Sequence, residues 1–283
     1  MQVTPASAVL KVARSAHGKL QAPMTKKWKK GLTVLLLAFP YLVMPAVAQR
    51  SLVAPTVEES AFQEAVGRRS PFAIRYIDQD PFLLNRIEAL LRSKRISAGI
   101  SGAALAQAAS YGDIELVYLL VSKGIDVNHR VADTGQTVLM LAAAHGFYVQ
   151  CGNDPLVTSY AGNPRMVKLL LESGARVDEQ DGAGNTALLM AAQFGRSDSV
   201  KLLLEAGANV HLANEHGWTA LIHAVNSSGS NHHPNMLEII KRLIAAGAMV
   251  NAMDRQGKTA LDYAPGADVK EMLIAAGAFR RTN

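Results

Sequence analysis

Apolar positions along the second half of the chain fall in paired blocks. Between Asp181 and Ala213 the sequence reads DGAGNTALLMAAQFGRSDSVKLLLEAGANVHLA. A short apolar block, Ala187 to Ala192, is followed by a polar turn, a longer aliphatic block ending in Leu202, Leu203 and Leu204, then Gly207. The first block predicts a short helix whose small Ala191 and Ala192 allow a neighbour to approach closely. The second predicts an amphipathic helix with Leu202 to Leu204 in its buried stripe, and Gly207 ends it because a left-handed residue costs glycine nothing. Upstream, Thr56-Val57-Glu58-Glu59 is a capping box opening a helix to about Val66. Asp80-Pro81 opens another, with Leu83, Leu84, Ile87, Leu90 and Leu91 on one face.

The paired-block pattern recurs. Thr137-Val138-Leu139, Thr186-Ala187-Leu188, Thr219-Ala220-Leu221 and Thr259-Ala260-Leu261 align, with a degenerate Ala103-Ala104-Leu105 in front, at steps of 34, 49, 33 and 40 residues. A glycine closes each longer helix, at Gly124, Gly174, Gly207, Gly247 and Gly277. From each of the first four to the next threonine is 12 or 13 residues, so length varies only in the other half of the unit. Asp-x-x-Gly-x-Thr, Ala-Ala, Leu-Leu and Gly-Ala in this order resemble the ankyrin repeat. The resemblance implies an all-α repeat solenoid in which each unit carries a helix-turn-helix and a β-hairpin loop. Units are expected near 101–131, 132–180, 181–213, 214–253 and 254–281, forming one domain over 100–283. No unit covers its apolar face alone, so at least three must stack. Residues 49–99 are read as a helical N-terminal cap. The pattern departs from the family at several points: Ala132 stands where the second unit should have Asp, the first lacks both Asp and Thr, and the Pro and His of Thr-Pro-Leu-His are missing throughout. Arg280 and Arg281 end the last unit as a polar cap.

The first fifty residues follow another logic. TKKWKK precedes the uncharged segment Gly31 to Gln49, and Ala46-Val47-Ala48 provides small side chains for cleavage, the layout of a secretory signal peptide over 24–48. The 1–23 extension precedes a plausible start at Met24. The expected location is periplasmic, the alternative a membrane anchor made by residues 31–49, which Pro40 and Pro45 weaken.

This changes the meaning of the charge. The chain carries a formal +6, but seven basic and no acidic side chains precede residue 49, leaving 22 basic against 23 acidic residues afterwards. The remainder is close to neutral, which removes the main support for nucleic-acid binding. The single cysteine, Cys151, forms no internal disulfide and has no basic cluster to activate it. His223, His232 and His233 lack carboxylate or thiol companions at metal-ligand spacing. Gly182-Ala183-Gly184 with Ala187 matches a dinucleotide fingerprint on paper, but no strand precedes it and the repeat already explains both glycines. Arg92, Lys94 and Arg95 read as a solvated helix end. No catalysis, metal or cofactor is expected.

The resemblance implies a protein-protein interaction module, and the residues that the repeat does not need mark where it binds. One group is the row of hairpin tips, with Gln136, Asn185, Glu215, His216, Trp218, Arg255 and Lys258. Trp218 either faces solvent, where tryptophan is the type most enriched at interface hot spots, or folds over its neighbour's hairpin. On the first reading its truncation leaves stability unchanged. The other group is the inter-helix insertions, Phe147 to Asn163 with Phe147, Tyr148 and Tyr160, and Ser227 to Asn235. The partner is expected to be a protein, with no nucleic acid and no membrane after signal cleavage, and the free chain a monomer. Two partner classes fit: an exported toxic hydrolase, inhibited by an immunity-type protein, or resident envelope proteins, assembled by a scaffold or stress adaptor.

Overall fold

The computed structural model describes residues 55–69, 82–144, 148–149, 157–158, 163–227 and 235–279. They lie in the compact unit Val53–Asn283. The signal segment, the 1–23 extension, Cys151, His232, His233, Arg280 and Arg281 fall outside the described residues.

Six helix pairs follow one another. They are α1 (Val57–Gly67) and α2 (Leu83–Arg92), α3 (Ala98–Tyr111) and α4 (Ile114–Ser122), α5 (Val138–Ala144) and α6 (Pro164–Glu172), α7 (Ala187–Gln193) and α8 (Ser197–Glu205), α9 (Ala220–Ser227) and α10 (Met236–Ala245), and α11 (Ala260–Tyr263) and α12 (Ala267–Ala275). The two members of each pair pack together. The first members stack in order as an inner layer, α1 on α3, α3 on α5, α5 on α7, α7 on α9 and α9 on α11. Behind them α4, α6, α8 and α10 stack as an outer layer. The core runs between the layers: Leu139, Leu188 and Leu221 from the inner helices meet Leu170, Val200, Leu203, Ile240 and Leu243 from the outer ones, all buried.

Local chemistry sets the boundaries. The Thr137, Thr186 and Thr219 hydroxyls accept from the backbone N–H of Met140, Leu189 and Ile222, three positions on, as N-caps do. Thr259 forms a capping box with Asp262, whose carboxylate accepts both its N–H and its hydroxyl. Asp113 and Asn163 cap α4 and α6 through Leu116 and Met166 N–H. Each outer helix from α4 onward ends in a left-handed glycine, Gly124, Gly174, Gly207, Gly247 and Gly277.

The N-terminal cap is itself built as a unit of the same kind. The Thr56 capping box is present and opens α1, the inner member. The outer member, α2, ends at Lys94, the one non-glycine residue with positive φ (56°) among those described. Its N–H bonds the Leu91 carbonyl as Gly207 bonds Leu204. Glu59, buried, accepts from Thr56 and Ser97 N–H and so ties α1 to the start of α3; the backbone bond from Thr56, then those from Ser97, hold its carboxyl below the usual range. Arg92 and Arg95, in the helix end read as solvated, stay exposed and pair with Glu88 and Glu58.

Long and short inter-helix links alternate along one edge of the stack. Pairs one, three and five have long links, from Gly67 to Leu83, Ala144 to Pro164 and Ser227 to Met236, while pairs two, four and six turn within three or four residues. Outer helices of the short-link pairs pin two of the long links at their feet. Arg69 donates to Asp113 at 2.5 and 2.8 Å, and Arg196 Nε donates to the Ala144 carbonyl at 2.8 Å. In the 145–162 link the backbone of β1 (Tyr148–Val149) pairs antiparallel with β2 (Val157–Thr158), Tyr148 opposite Thr158.

Candidate interaction face

The hairpins that precede α7, α9 and α11 are each shaped by one side chain. Asp181 Oδ1 accepts from Ala183 and Asn185 N–H, Asn214 Oδ1 from His216 and Trp218 N–H, and Asp254 Oδ1 from Gln256 and Lys258 N–H, all at 2.8 to 3.0 Å. These Asx turns let the tip reverse within four residues. In the second unit, where Ala132 has replaced the Asp, Thr134 Oγ1 accepts from Gln136 N–H and Gly135 N–H bonds the Val131 carbonyl at 2.7 Å.

The tips are joined to one another through the backbone. Gly182 N–H donates to Thr134 O, Glu215 N–H to Ala183 O and Arg255 N–H to His216 O, at 2.9 to 3.0 Å. Four hairpins thus form one row of fixed spacing, with side chains presented from a rigid base.

The structure divides the residues expected on this row. Glu215, His216, Arg255 and Lys258 are exposed, while Gln136 and Asn185 are half-buried. Gln136 points its amide at Met190 Sδ (3.9 Å). Asn185 spends its polar atoms inside the row, donating to Asp181 and accepting from Asn214 Nδ2 at 3.0 Å. Trp218 does not stand in solvent. Half-buried, its ring meets His223 edge-on at 5.0 Å and Tyr263 at 5.3 Å. The reading in which it folds toward the neighbouring repeat describes its position, so truncating it removes packing between two repeats. Of the insertion aromatics, Tyr148 is placed by its backbone in β1, and Phe147 and Tyr160 fall outside the described residues.

Three residues missed from sequence complete this end of the face. Asp254, buried, accepts at Oδ2 from the Tyr263 hydroxyl at 2.5 Å. Burial alone would raise its carboxyl, but the bonds from Tyr263, from Lys258 and Gln256 N–H and from the Trp218 side chain outweigh that and hold it below the usual range. The same bond to Asp254, then burial, pushes the Tyr263 phenol up to about 12. His223 is buried, with Nε2 3.3 Å from Asn214 Nδ2; desolvation, then the proximity of His216, pushes it down to about 4. A signal for these was present in the sequence. Leu141, Met190, His223 and Tyr263 each stand four places after the unit's threonine, and the change from aliphatic to aromatic along that column marks where a polar network replaces apolar packing.

A separate open groove of about 570 Å³ lies between α2 and α4, lined by Leu84, Ile114, Tyr118, Leu119 and Leu169. Among the described residues no group of three His, Cys, Asp or Glu could hold a metal ion, and no helix is long and apolar enough to cross a membrane. Two family models match the chain: one described as "Ankyrin repeats (3 copies)" over residues 156–236, and one described as "Ankyrin repeats (many copies)" over residues 105–151.

Proposed function

Because the chain is an ankyrin-repeat protein, a scaffold type that is typically a non-enzymatic module for protein-protein interaction, we propose that it binds a protein partner through the hairpin row and has no catalytic step of its own. The observation that carries this reading is the chain of backbone hydrogen bonds from Thr134 to Arg255. It fixes the spacing of the exposed side chains before any partner arrives, which lowers the ordering cost of binding. The proposed location is the periplasm, resting on the basic n-region, the apolar segment and Ala46-Val47-Ala48 of the sequence.

An immunity-type inhibitor that covers the active site of an exported hydrolase is the reading we favour over an envelope scaffold. A rigid, single-sided row suits one tight partner better than an assembly of several. The test is a photo-crosslinking residue placed at Ala183 or Gln256 on the tips, with Lys201 on the outer layer as control, in cells making the full chain. Adducts to one protein from the tips alone support the reading. Adducts from Lys201 alone, or none from the tips, overturn it. If the captured protein is a hydrolase that becomes toxic when this chain is deleted, the immunity role follows; a harmless resident protein favours the scaffold.

A further inference from the structure

Resting on the protein-binding reading, a charge imbalance at one end of the row narrows the chemistry of the partner. The hairpin of the last repeat carries two exposed cations, Arg255 and Lys258, on a single turn. Neither joins any of the ion pairs formed among the described residues. Several cations elsewhere are neutralised along single helices, Arg68 with Glu64, Lys168 with Glu172, Lys201 with Glu205 and Arg242 with Glu238, whereas on the hairpin row these two are not.

The carboxylate nearest to these two cations in sequence is committed elsewhere. Asp254 is turned inward, with one oxygen accepting from Gln256 and Lys258 N–H and the other from the Tyr263 hydroxyl. Asp262 holds the Thr259 N–H and hydroxyl. Lys258 Nζ lies 5.4 Å from the centre of the Tyr263 ring, so its charge is held beside the half-buried Trp218–Tyr263 pair. A half-buried, tilted aromatic pair with Lys258 beside it, on a hairpin whose two cations form no ion pair among the described residues, is complementary to a segment carrying both acidic and apolar side chains.

We infer that the end of the row formed by Trp218, Arg255, Lys258 and Tyr263 receives an acidic segment of the protein partner, its carboxylates on the two cations and an adjacent apolar side chain on the aromatic pair. Glu215 on the preceding tip limits the acidic stretch on that side by like-charge repulsion, so the segment's carboxylates lie toward the C-terminal end of the row. Such contacts act mainly on association rate and weaken with salt.

A random library of displayed 12-residue peptides, selected on the immobilised full chain at low ionic strength, tests this. Enriched peptides are expected to carry two or more Asp or Glu next to an aromatic or aliphatic residue. Their affinity should fall at least tenfold in the Arg255→Gln/Lys258→Gln variant and be kept in Arg255→Lys/Lys258→Arg, which preserves the charges. Removing paired outer-layer cations, Lys168→Gln/Lys201→Gln, should change nothing. Enriched peptides with no acidic excess, an absence of enrichment, or equal binding to the Gln variant would each overturn the inference. Neutral peptides that still crosslink to the tips would overturn the acidic assignment alone and leave the protein-binding reading standing.

Discussion

The Tyr263 hydroxyl donates to Asp254 Oδ2 at 2.5 Å, nine positions back along the chain, and closes the hairpin of the last repeat onto its own inner helix. The acceptor is a buried carboxylate, so the bond is charge-assisted. Tyr263→Phe is therefore expected to cost about 1.5 to 3 kcal/mol in urea unfolding of the chain. Loss of only a few tenths would show that the remaining N–H donors to Asp254 suffice.

Trp218 belongs to the same cluster. A solvent-facing tryptophan at a tip could be truncated with little effect, but a ring wedged between His223 and Tyr263 cannot. Trp218→Ala should cost about 1 to 3 kcal/mol, from two aromatic contacts and partial burial. Leu203→Ala, with the side chain wholly buried, should cost about 2 to 5 kcal/mol. Thermal unfolding of both variants ranks them, and a Trp218→Ala protein as stable as the parent would contradict the packing described.

Stability should fall as the solution is acidified from about pH 6.5 toward 4. His223 titrates near 6.5 when unfolded and at about 4 when folded, so between those values the unfolded chain binds the extra proton. The contribution is complete above pH 6.5 and lost as pH falls through the folded value, up to about 3 kcal/mol in all. Chemical denaturation at a series of pH values should show a slope in this window that His223→Gln flattens. Equal slopes in the two proteins would assign the acid sensitivity to other groups.

Ser199 is a polar residue in an apolar column. Its equivalents eight places before the closing glycine are Leu116, Met166, Ile239 and Val269, yet its hydroxyl is fully buried and finds no hydrogen-bond partner among the described residues. Ser199→Ala removes an unsatisfied group without enlarging the side chain. It should stabilise the protein by about 1 kcal/mol, read as a raised denaturation midpoint at unchanged slope.

Two glycines with similar backbone should respond differently to alanine. Gly207 (φ +82°) faces open space, so Gly207→Ala meets only the left-handed penalty of about 1 to 2 kcal/mol. At Gly217 (φ +77°) an added Cβ would come within 2.9 Å of Arg255 N and Asp254 Cα on the next hairpin. Gly217→Ala should therefore cost clearly more than Gly207→Ala. Equal costs would mean that the tips can separate without loss.

Much of the fold was legible because each rule is enforced several times over. Thr186 caps, Leu203 is buried and Gly207 ends a helix for reasons repeated in every neighbouring unit, so errors at one copy are corrected by the others. Two parts resisted. The unit formed by α1 and α2 reads only as a cap, because Lys94 occupies the left-handed site where the other units advertise themselves with glycine. Trp218 could not be placed because its surroundings are decided by Tyr263, one repeat downstream, at a position where the other units have aliphatic side chains or histidine. Periodicity reports what the units share. The candidate face is made of what they do not share, so only the side chains that leave the consensus, His223 and Tyr263 among them, carried its signal.

The backbone bonds between tips also give the stack a mechanical grain. Three successive junctions, Thr134 to Gly182, Ala183 to Glu215 and His216 to Arg255, each carry one such tie, and a pull along the row loads them in series. The first unit has no Asx-turned tip to extend the line. Under tension the array should yield first at its N-terminal end, keeping the spacing of the tips from Thr134 to Lys258 until the ties themselves part.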